Sequence, residues 1–103
     1  MSRLLHVVNK SPTDRYAFDT CFRMASPGDS ILLIEDGVYG ALATAEFAEQ
    51  INSRLGDLSF YVLGPDVDAR GLGDKPLIED IAVVDYEGFV DLVTGNDVTQ
   101  SWL

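Results

Sequence analysis

Four short apolar runs, each followed by residues that favour turns, constrain the fold of this chain more than any other feature of its sequence. The runs are Leu4–Val8, Ser30–Glu35, Leu58–Leu63 and Ile81–Val84. The second run contains four consecutive apolar residues, a pattern typical of a strand covered on both faces in a parallel sheet. Segments with helical spacing alternate with the runs, which predicts an α/β fold: three layers, with a mostly parallel sheet flanked by helices.

Three longer helices are predicted between and after these runs. Asp14–Ala25 repeats apolar residues at helical spacing, with Thr13 or Ser11 as its N-cap, and Thr44–Leu55 and Asp85–Val93 follow later in the chain. The last residues, Val98–Leu103, predict either a short fifth strand or a tail that docks on the sheet. Because termini are usually frayed and polar, the final Trp-Leu either packs on the chain itself or reaches a partner.

Size and charge restrict the class of protein. A chain of 103 residues predicts a single domain spanning residues 1–103. Its net charge of −10 disfavours direct contact with nucleic acid or anionic membranes. Hydrophobic residues make up 47% of the chain, more than so small a domain is expected to bury, and an exposed apolar patch usually marks a binding surface.

A cytoplasmic location is expected from two features. The chain has one cysteine, so no internal disulfide can form, which suits a reducing compartment. The apolar run after Met1 ends at Asn9, which is too short for a signal peptide or a membrane span.

Acidic residues follow the predicted strands, where parallel sheets collect ligand-binding groups. Glu35, Asp36, Asp66 and Asp85 therefore predict either a Mg²⁺ site, because hard cations prefer oxygen ligands, or ordinary turns, in which Asp is common. The chain has neither GxGxxG nor GxxxxGK[ST], so no cofactor is predicted.

Two residues have reactive side chains, and each could have either a chemical or a structural role. Cys21 is a candidate sulfur carrier, but its place late in the first helix predicts a near-normal thiol pKa of about 8.5. It also lies in the apolar stripe of that helix, where cysteine commonly acts as a small buried hydrophobe. His6, the single histidine, is interpreted as a structural or interface residue, since no nucleophile stands beside it in sequence.

Tyr39 and Leu42 are predicted either to dock on the chain or to contact a partner.

An ordered set of segments along nearly the whole chain resembles the DsrH/TusB family. The matching segments are Leu5–Pro12, Gly28–Asp29 leading into Leu32–Tyr39, Tyr61–Asp66, Ala69–Gly71, Val84–Tyr86 with Phe89–Val90, and Gln100–Leu103.

This resemblance implies a DsrE/DsrF/DsrH-like fold and a non-catalytic or accessory-thiol subunit of a cytoplasmic sulfur-relay complex. It implies a heterohexamer with DsrE/TusD-like and DsrF/TusC-like subunits, which passes persulfide sulfur to a DsrC/TusE-like acceptor. The complex would serve either intracellular sulfur oxidation or 2-thiolation of a tRNA wobble uridine. By the same resemblance, the cysteine that mainly carries the sulfur belongs to the DsrE/TusD-like subunit. Cys21 matches a helix-one cysteine of DsrH-type members, which places the chain nearer the DsrH branch and makes Cys21 the candidate catalytic residue. The alternative is an independent small-ligand or divalent-metal-binding domain.

Overall fold

Five parallel strands form one sheet in this computed structural model, which describes residues 3–11, 15–43 and 48–102. The strand order is β4-β3-β2-β1-β5, and each strand runs parallel to its neighbours. The strands are β1 (Leu4–Val8), β2 (Ser30–Leu33), β3 (Ser59–Leu63), β4 (Ala82–Val84) and β5 (Val98–Trp102). The predicted α/β fold is confirmed, and all the strands described are parallel.

Helices connect successive strands, as the alternating pattern predicts. They are α1 (Arg15–Met24), α2 (Ala48–Ser53), α3 (Gly64–Ala69) and α4 (Tyr86–Gly95), with a 3₁₀ helix at Glu35–Ala41 between β2 and α2. Asp85 begins α4, because its carboxylate accepts a hydrogen bond from the Gly88 amide at 2.8 Å. The predicted cap Thr13 and the predicted first turn of α2, residues 44–47, lie outside the described residues.

The second strand is shorter than its apolar run. It ends at Leu33 because Glu35 adopts a positive φ of 49°, which turns the chain out of the sheet into the 3₁₀ helix. This segment crosses close to the end of β1, where a Cβ at position 37 would overlap the Val8 carbonyl oxygen. Glycine at position 37 therefore permits the close approach.

The larger hydrophobic core lies on one side of the sheet, which we call the deep face. Strands β1, β2 and β3 meet α1, α2, α3 and the 3₁₀ helix there. Its most buried side chains include Val8, Phe18, Cys21, Ile31, Leu33, Val38, Ile51 and Val62.

The opposite side, which we call the α4 face, carries a smaller core. Leu5, Val7 and Leu32 are buried on this side and contact Phe89 and Leu92 of α4. None of the ten residues of α4 is itself buried. The α4 face is therefore a thinner layer than the deep face.

Residues 98–102 form a strand, which decides between the two predictions made for the end of the chain. β5 pairs with β1 in a register that places Leu4 beside Val98 and Val8 beside Trp102. Within the described residues, no helix is both long enough and apolar enough to cross a membrane.

Candidate functional site

Cys21 lies on the side of α1 that packs against the deep face, and 1% of its surface is exposed. The described side chains that line the small space beside it are apolar: Val8, Phe18, Phe22, Ile31, Leu33, Ile51 and Phe60. The space among these side chains is too small to hold a water molecule. The described residues therefore leave a sulfur donor no path to the thiol in this conformation.

The electrostatic surroundings of Cys21 oppose formation of the thiolate. Burial, with a smaller contribution from the negative charge of Asp29, raises the pKa of the thiol to about 12. The near-normal thiol pKa expected from the sequence is therefore wrong, because helix position alone does not reveal how completely the sheet covers this residue. With a pKa near 12, on the order of one molecule in 10⁵ carries the thiolate at neutral pH.

A buried hydrogen-bond network centred on β1 links three distant parts of the sequence. His6, which is 1% exposed, places its Nε2 atom 2.9 Å from Oδ2 of Asp29, the residue just before β2. On its other side, Nδ1 of His6 accepts a hydrogen bond of 3.0 Å from Nε1 of Trp102 in β5. The His6 and Trp102 rings are nearly parallel, with 20° between their planes and 6.0 Å between centroids.

The indole partner determines the tautomer of His6. The nitrogen of Trp102 can only donate, so Nδ1 of His6 must be unprotonated and Nε2 must carry the hydrogen that Asp29 accepts. The contact between His6 and Asp29 is then a hydrogen bond from a neutral ring to a carboxylate rather than an ion pair. Both ring nitrogens are occupied, so His6 is not positioned as a free general base or metal ligand.

Asp29 is a second buried group with complete hydrogen bonding. Besides His6, its carboxylate accepts from the Leu4 amide at 3.1 Å and from the Ser26 amide at 2.9 Å. Burial opposes ionisation, but the hydrogen bonds from His6, Ser26 and Leu4 outweigh it and lower the pKa of Asp29 below its usual value. The charged carboxylate therefore ties β1 to the turn between α1 and β2.

The carboxyl ends of the strands bring several of the predicted acidic residues together. Oδ2 of Asp66 accepts a 2.6 Å hydrogen bond from the Glu35 amide, and Nδ2 of Asn9 donates to Oε2 of Glu35 at 3.3 Å. Asp36 pairs with Arg70, whose Nε lies 3.0 Å from Oδ1. This pairing holds the turn after β2 against α3.

These carboxylates act as turn and capping groups in the described structure. Asp66 holds the strained Glu35 backbone, Asp36 is paired with a guanidinium, and Asp85 caps α4. No group of three His, Cys, Asp or Glu side chains within residues 3–11, 15–43 and 48–102 is arranged to hold a metal ion. The geometry matches the turn interpretation of the acids and gives no support to the magnesium interpretation.

Trp102, Leu103, Tyr39 and Leu42 were each predicted either to dock on the chain or to contact a partner. Trp102 docks on the chain itself through His6, whereas Leu103 lies outside the described residues. Leu42 is half-buried and packs against the deep-face core, and Tyr39 is 36% exposed. Sequence reasoning did not identify Asp29 as a buried carboxylate, because Asp after Gly is an ordinary turn signal.

Comparisons with known proteins agree on one family. A family profile described as "DsrH like protein" matches residues 10–99. Protein TusB of Pectobacterium parmentieri is 31% identical over 99 residues, covering 96% of this chain and 100% of that protein. Protein TusB of Escherichia coli (strain K12) is 34% identical over 101 residues, again covering 96% of this chain and 100% of that protein.

Two solved structures share the fold at low sequence identity. The crystal structure of the ychN protein from E. coli superposes with a TM-score of 0.72 at 14% identity, covering 98% of this chain and 99% of that chain. The structure of MTH1491 from Methanobacterium thermoautotrophicum, a protein of unknown function, also gives a TM-score of 0.72, at 15% identity and 97% and 99% coverage. These two structures support the architecture alone.

Proposed function

The chain belongs to the DsrH/TusB family, and from this membership we propose that it is a subunit of a hetero-oligomeric sulfur-relay complex that passes persulfide sulfur between proteins. The observation that carries the proposal is the family match over residues 10–99, together with full-length similarity to Protein TusB. The proposed partners are DsrE/TusD-like and DsrF/TusC-like subunits in a cytoplasmic heterohexamer. A DsrC/TusE-like protein is the proposed sulfur acceptor of the whole complex.

The described geometry favours a supporting role for this chain within such a complex. Its one thiol is buried and protonated, and both nitrogens of its one histidine are engaged in the fold. Sulfur transfer through a persulfide requires a thiolate that can reach a donor. We therefore expect the purified chain alone to show no sulfurtransferase turnover.

Cys21 remains a proposed accessory thiol, and its geometry sets the condition under which it could take part. Reaction at Cys21 would require α1 to separate from the deep face, exposing the sulfur to solvent and lowering its pKa. In the free chain we expect alkylation of Cys21 to be slow under native conditions and fast in denaturant. Rapid native labelling, measured by mass spectrometry, would show that α1 opens readily.

Labelled sulfur tests the role of Cys21 in the assembled complex. We expect the complex containing Cys21→Ser to assemble normally and to transfer sulfur to the DsrC/TusE-like acceptor with only partial impairment. Cys21→Ala serves as the matched variant, because it removes the thiol without adding a buried hydroxyl. Complete loss of transfer with assembly intact in both variants would make Cys21 essential.

Gene deletion separates the two pathways. Deletion of the gene, followed by measurement of 2-thiouridine in tRNA, tests the thiolation role; growth on reduced sulfur compounds tests the oxidation role. Loss of tRNA thiolation with normal sulfur oxidation would assign the chain to the thiolation pathway.

The second candidate function is an independent domain that binds a small ligand or a divalent metal. It predicts that the chain is self-sufficient and that Mg²⁺ raises its stability. Thermal unfolding with and without Mg²⁺, combined with mass measurement of the co-expressed subunits, distinguishes the two. A magnesium-stabilised monomer that binds no related subunit would contradict the sulfur-relay proposal.

A further inference from the structure

One flank of α4 exposes a row of apolar side chains that the fold does not use. Tyr86, Val90 and Val93 are 61%, 59% and 40% exposed. Their spacing of four and three residues aligns them along the helix. Phe89 and Leu92, on the neighbouring flank, pack against the sheet. The helix is thus apolar on two adjacent flanks, and only one of them is covered by the described residues.

The charged side chains in the part of the sequence that carries this row all have one sign. From position 76 to the end, the sequence contains six of the chain's 17 carboxylates and none of its seven lysines and arginines. The six are Glu79, Asp80, Asp85, Glu87, Asp91 and Asp97. None of them takes part in an ion pair among the described residues. Two of them, Glu87 and Asp91, are exposed on α4 itself.

An apolar row within an acidic field restricts what can cover it. A second copy of the same surface would bring like charges together, which costs free energy at an interface. The chain's own final residues cannot cover it, because 98–102 are paired with β1 in the sheet. A surface with an apolar centre and a rim of Lys and Arg matches both the row and its charge.

We infer that the flank of α4 bearing Tyr86, Val90 and Val93 is the surface on which this chain binds another subunit of the relay, through a complementary apolar patch rimmed by basic side chains. This inference rests on the proposed function, since it names the surface through which the chain joins the complex. The apolar row supplies the buried centre of the interface, and Glu87 and Asp91 supply its acidic rim.

The test uses purified TusC-type and TusD-type subunits of the same organism and measures their affinity for the chain. Val90→Lys places a charge in the centre of the row, and we expect it to weaken association by about tenfold or more. Glu87→Lys alters only the rim, so we expect a loss of about two- to fivefold, mainly in the association rate, with a weaker dependence on salt. Asn52→Lys adds the same charge to an exposed position of α2, over the deep face, and should change affinity by less than about twofold. Circular dichroism checks that each variant is folded.

Four outcomes would overturn the inference. If the wild-type chain binds these subunits and Val90→Lys binds within twofold of it, the surface is wrong and the proposed function stands. If Glu87→Lys tightens binding, the partner is not rimmed by basic groups. If Val90→Lys only dissociates a homo-oligomer of the isolated chain, the occupant is a second copy. Failure of the wild-type chain to bind either subunit would reject the proposed function and, with it, this inference.

Discussion

The two faces of the sheet differ in how completely the chain covers them. The deep face is closed by three helices and the 3₁₀ segment, and its strand side chains are almost fully buried. Arg54 ties this layer together, since its guanidinium donates to the carbonyls of Phe22 and Ala25 at 3.0 and 3.2 Å. These bonds satisfy carbonyls at the end of α1 that have no partner within the helix.

Among the residues that the structure describes, one helix closes the α4 face, and that helix is itself apolar on its exposed flank. A face covered by a single short helix buries less surface, so it contributes less to the stability of the free chain. The two faces therefore differ in role: the deep face stabilises the fold, and the α4 face leaves apolar surface available for assembly.

The largest losses of stability are expected at two neighbouring residues of β2 whose side chains point to opposite faces of the sheet. Leu33 lies in the deep-face core and Leu32 in the α4-face core, and both are at most 1% exposed. Truncation of either to alanine should cost about 2–5 kcal/mol of the free energy of unfolding. We expect Leu33→Ala to cost more, because the thinner α4 face can relax around a cavity. Urea denaturation measures both; a larger loss for Leu32→Ala would contradict the comparison of the two faces.

The Asp29 carboxylate should make the next largest contribution to the free energy of unfolding. Asp29→Asn keeps the shape but replaces an acceptor oxygen with a donor, while two backbone amides and His6 still point at the group. We expect this substitution to lower the free energy of unfolding by about 2 kcal/mol. Asp19→Asn, at an exposed position of α1, is the matched control. Equal denaturation midpoints for the two variants would mean that the buried network contributes nothing.

The same group should make stability depend on pH. The pKa of Asp29 is lower in the folded chain than in the unfolded chain, where it is about 3.9. The stabilisation is therefore complete above that value and is lost as pH falls through the lower folded pKa. The difference in unfolding free energy between the wild type and Asp29→Asn should narrow on going from pH 7 to about pH 3. A difference that stays constant or grows would contradict this assignment.

Trp102→Phe tests how strongly β5 is held to the sheet. The substitution keeps an aromatic ring beside His6 but removes the indole hydrogen bond to Nδ1. Loss of one such bond should cost about 1 kcal/mol. Circular dichroism is the measurement, because Trp102 is the one tryptophan and its loss removes the fluorescence signal. No change in stability would mean that β5 is held by its backbone pairing with β1 alone.

The local pattern of the sequence was sufficient to predict the fold. The uninterrupted run through Leu32 and Leu33 indicated a strand buried on both faces, and helical spacing around Phe18 placed α1 within one residue at each end. The strand at 30–35 was predicted too long because apolarity continues through Ile34, whereas the positive φ of Glu35 depends on a hydrogen bond to Asp66, 31 positions away.

The environment of the candidate site could not be predicted in the same way. The network joins His6 to Asp29 and Trp102 over separations of 23 and 96 positions, and each of these residues has a commoner local explanation. The high pKa of Cys21 likewise depends on side chains from three strands and α2 packed around it. Such properties depend on the tertiary arrangement, so spacing within one helix does not reveal them.

The smallest expected effect concerns the exposed flank of α4. Val90→Thr replaces a methyl group with a hydroxyl at a position that is 59% exposed, and Val and Thr have similar helix propensities. The free energy of unfolding of the isolated chain should change by less than about 0.5 kcal/mol. A loss above about 1 kcal/mol in urea denaturation would show that Val90 packs within the chain, and the two faces would then differ less than their burial indicates. A negligible change, set beside the large loss for Leu33→Ala, would separate the apolar surface that stabilises the fold from the apolar surface that the fold leaves free.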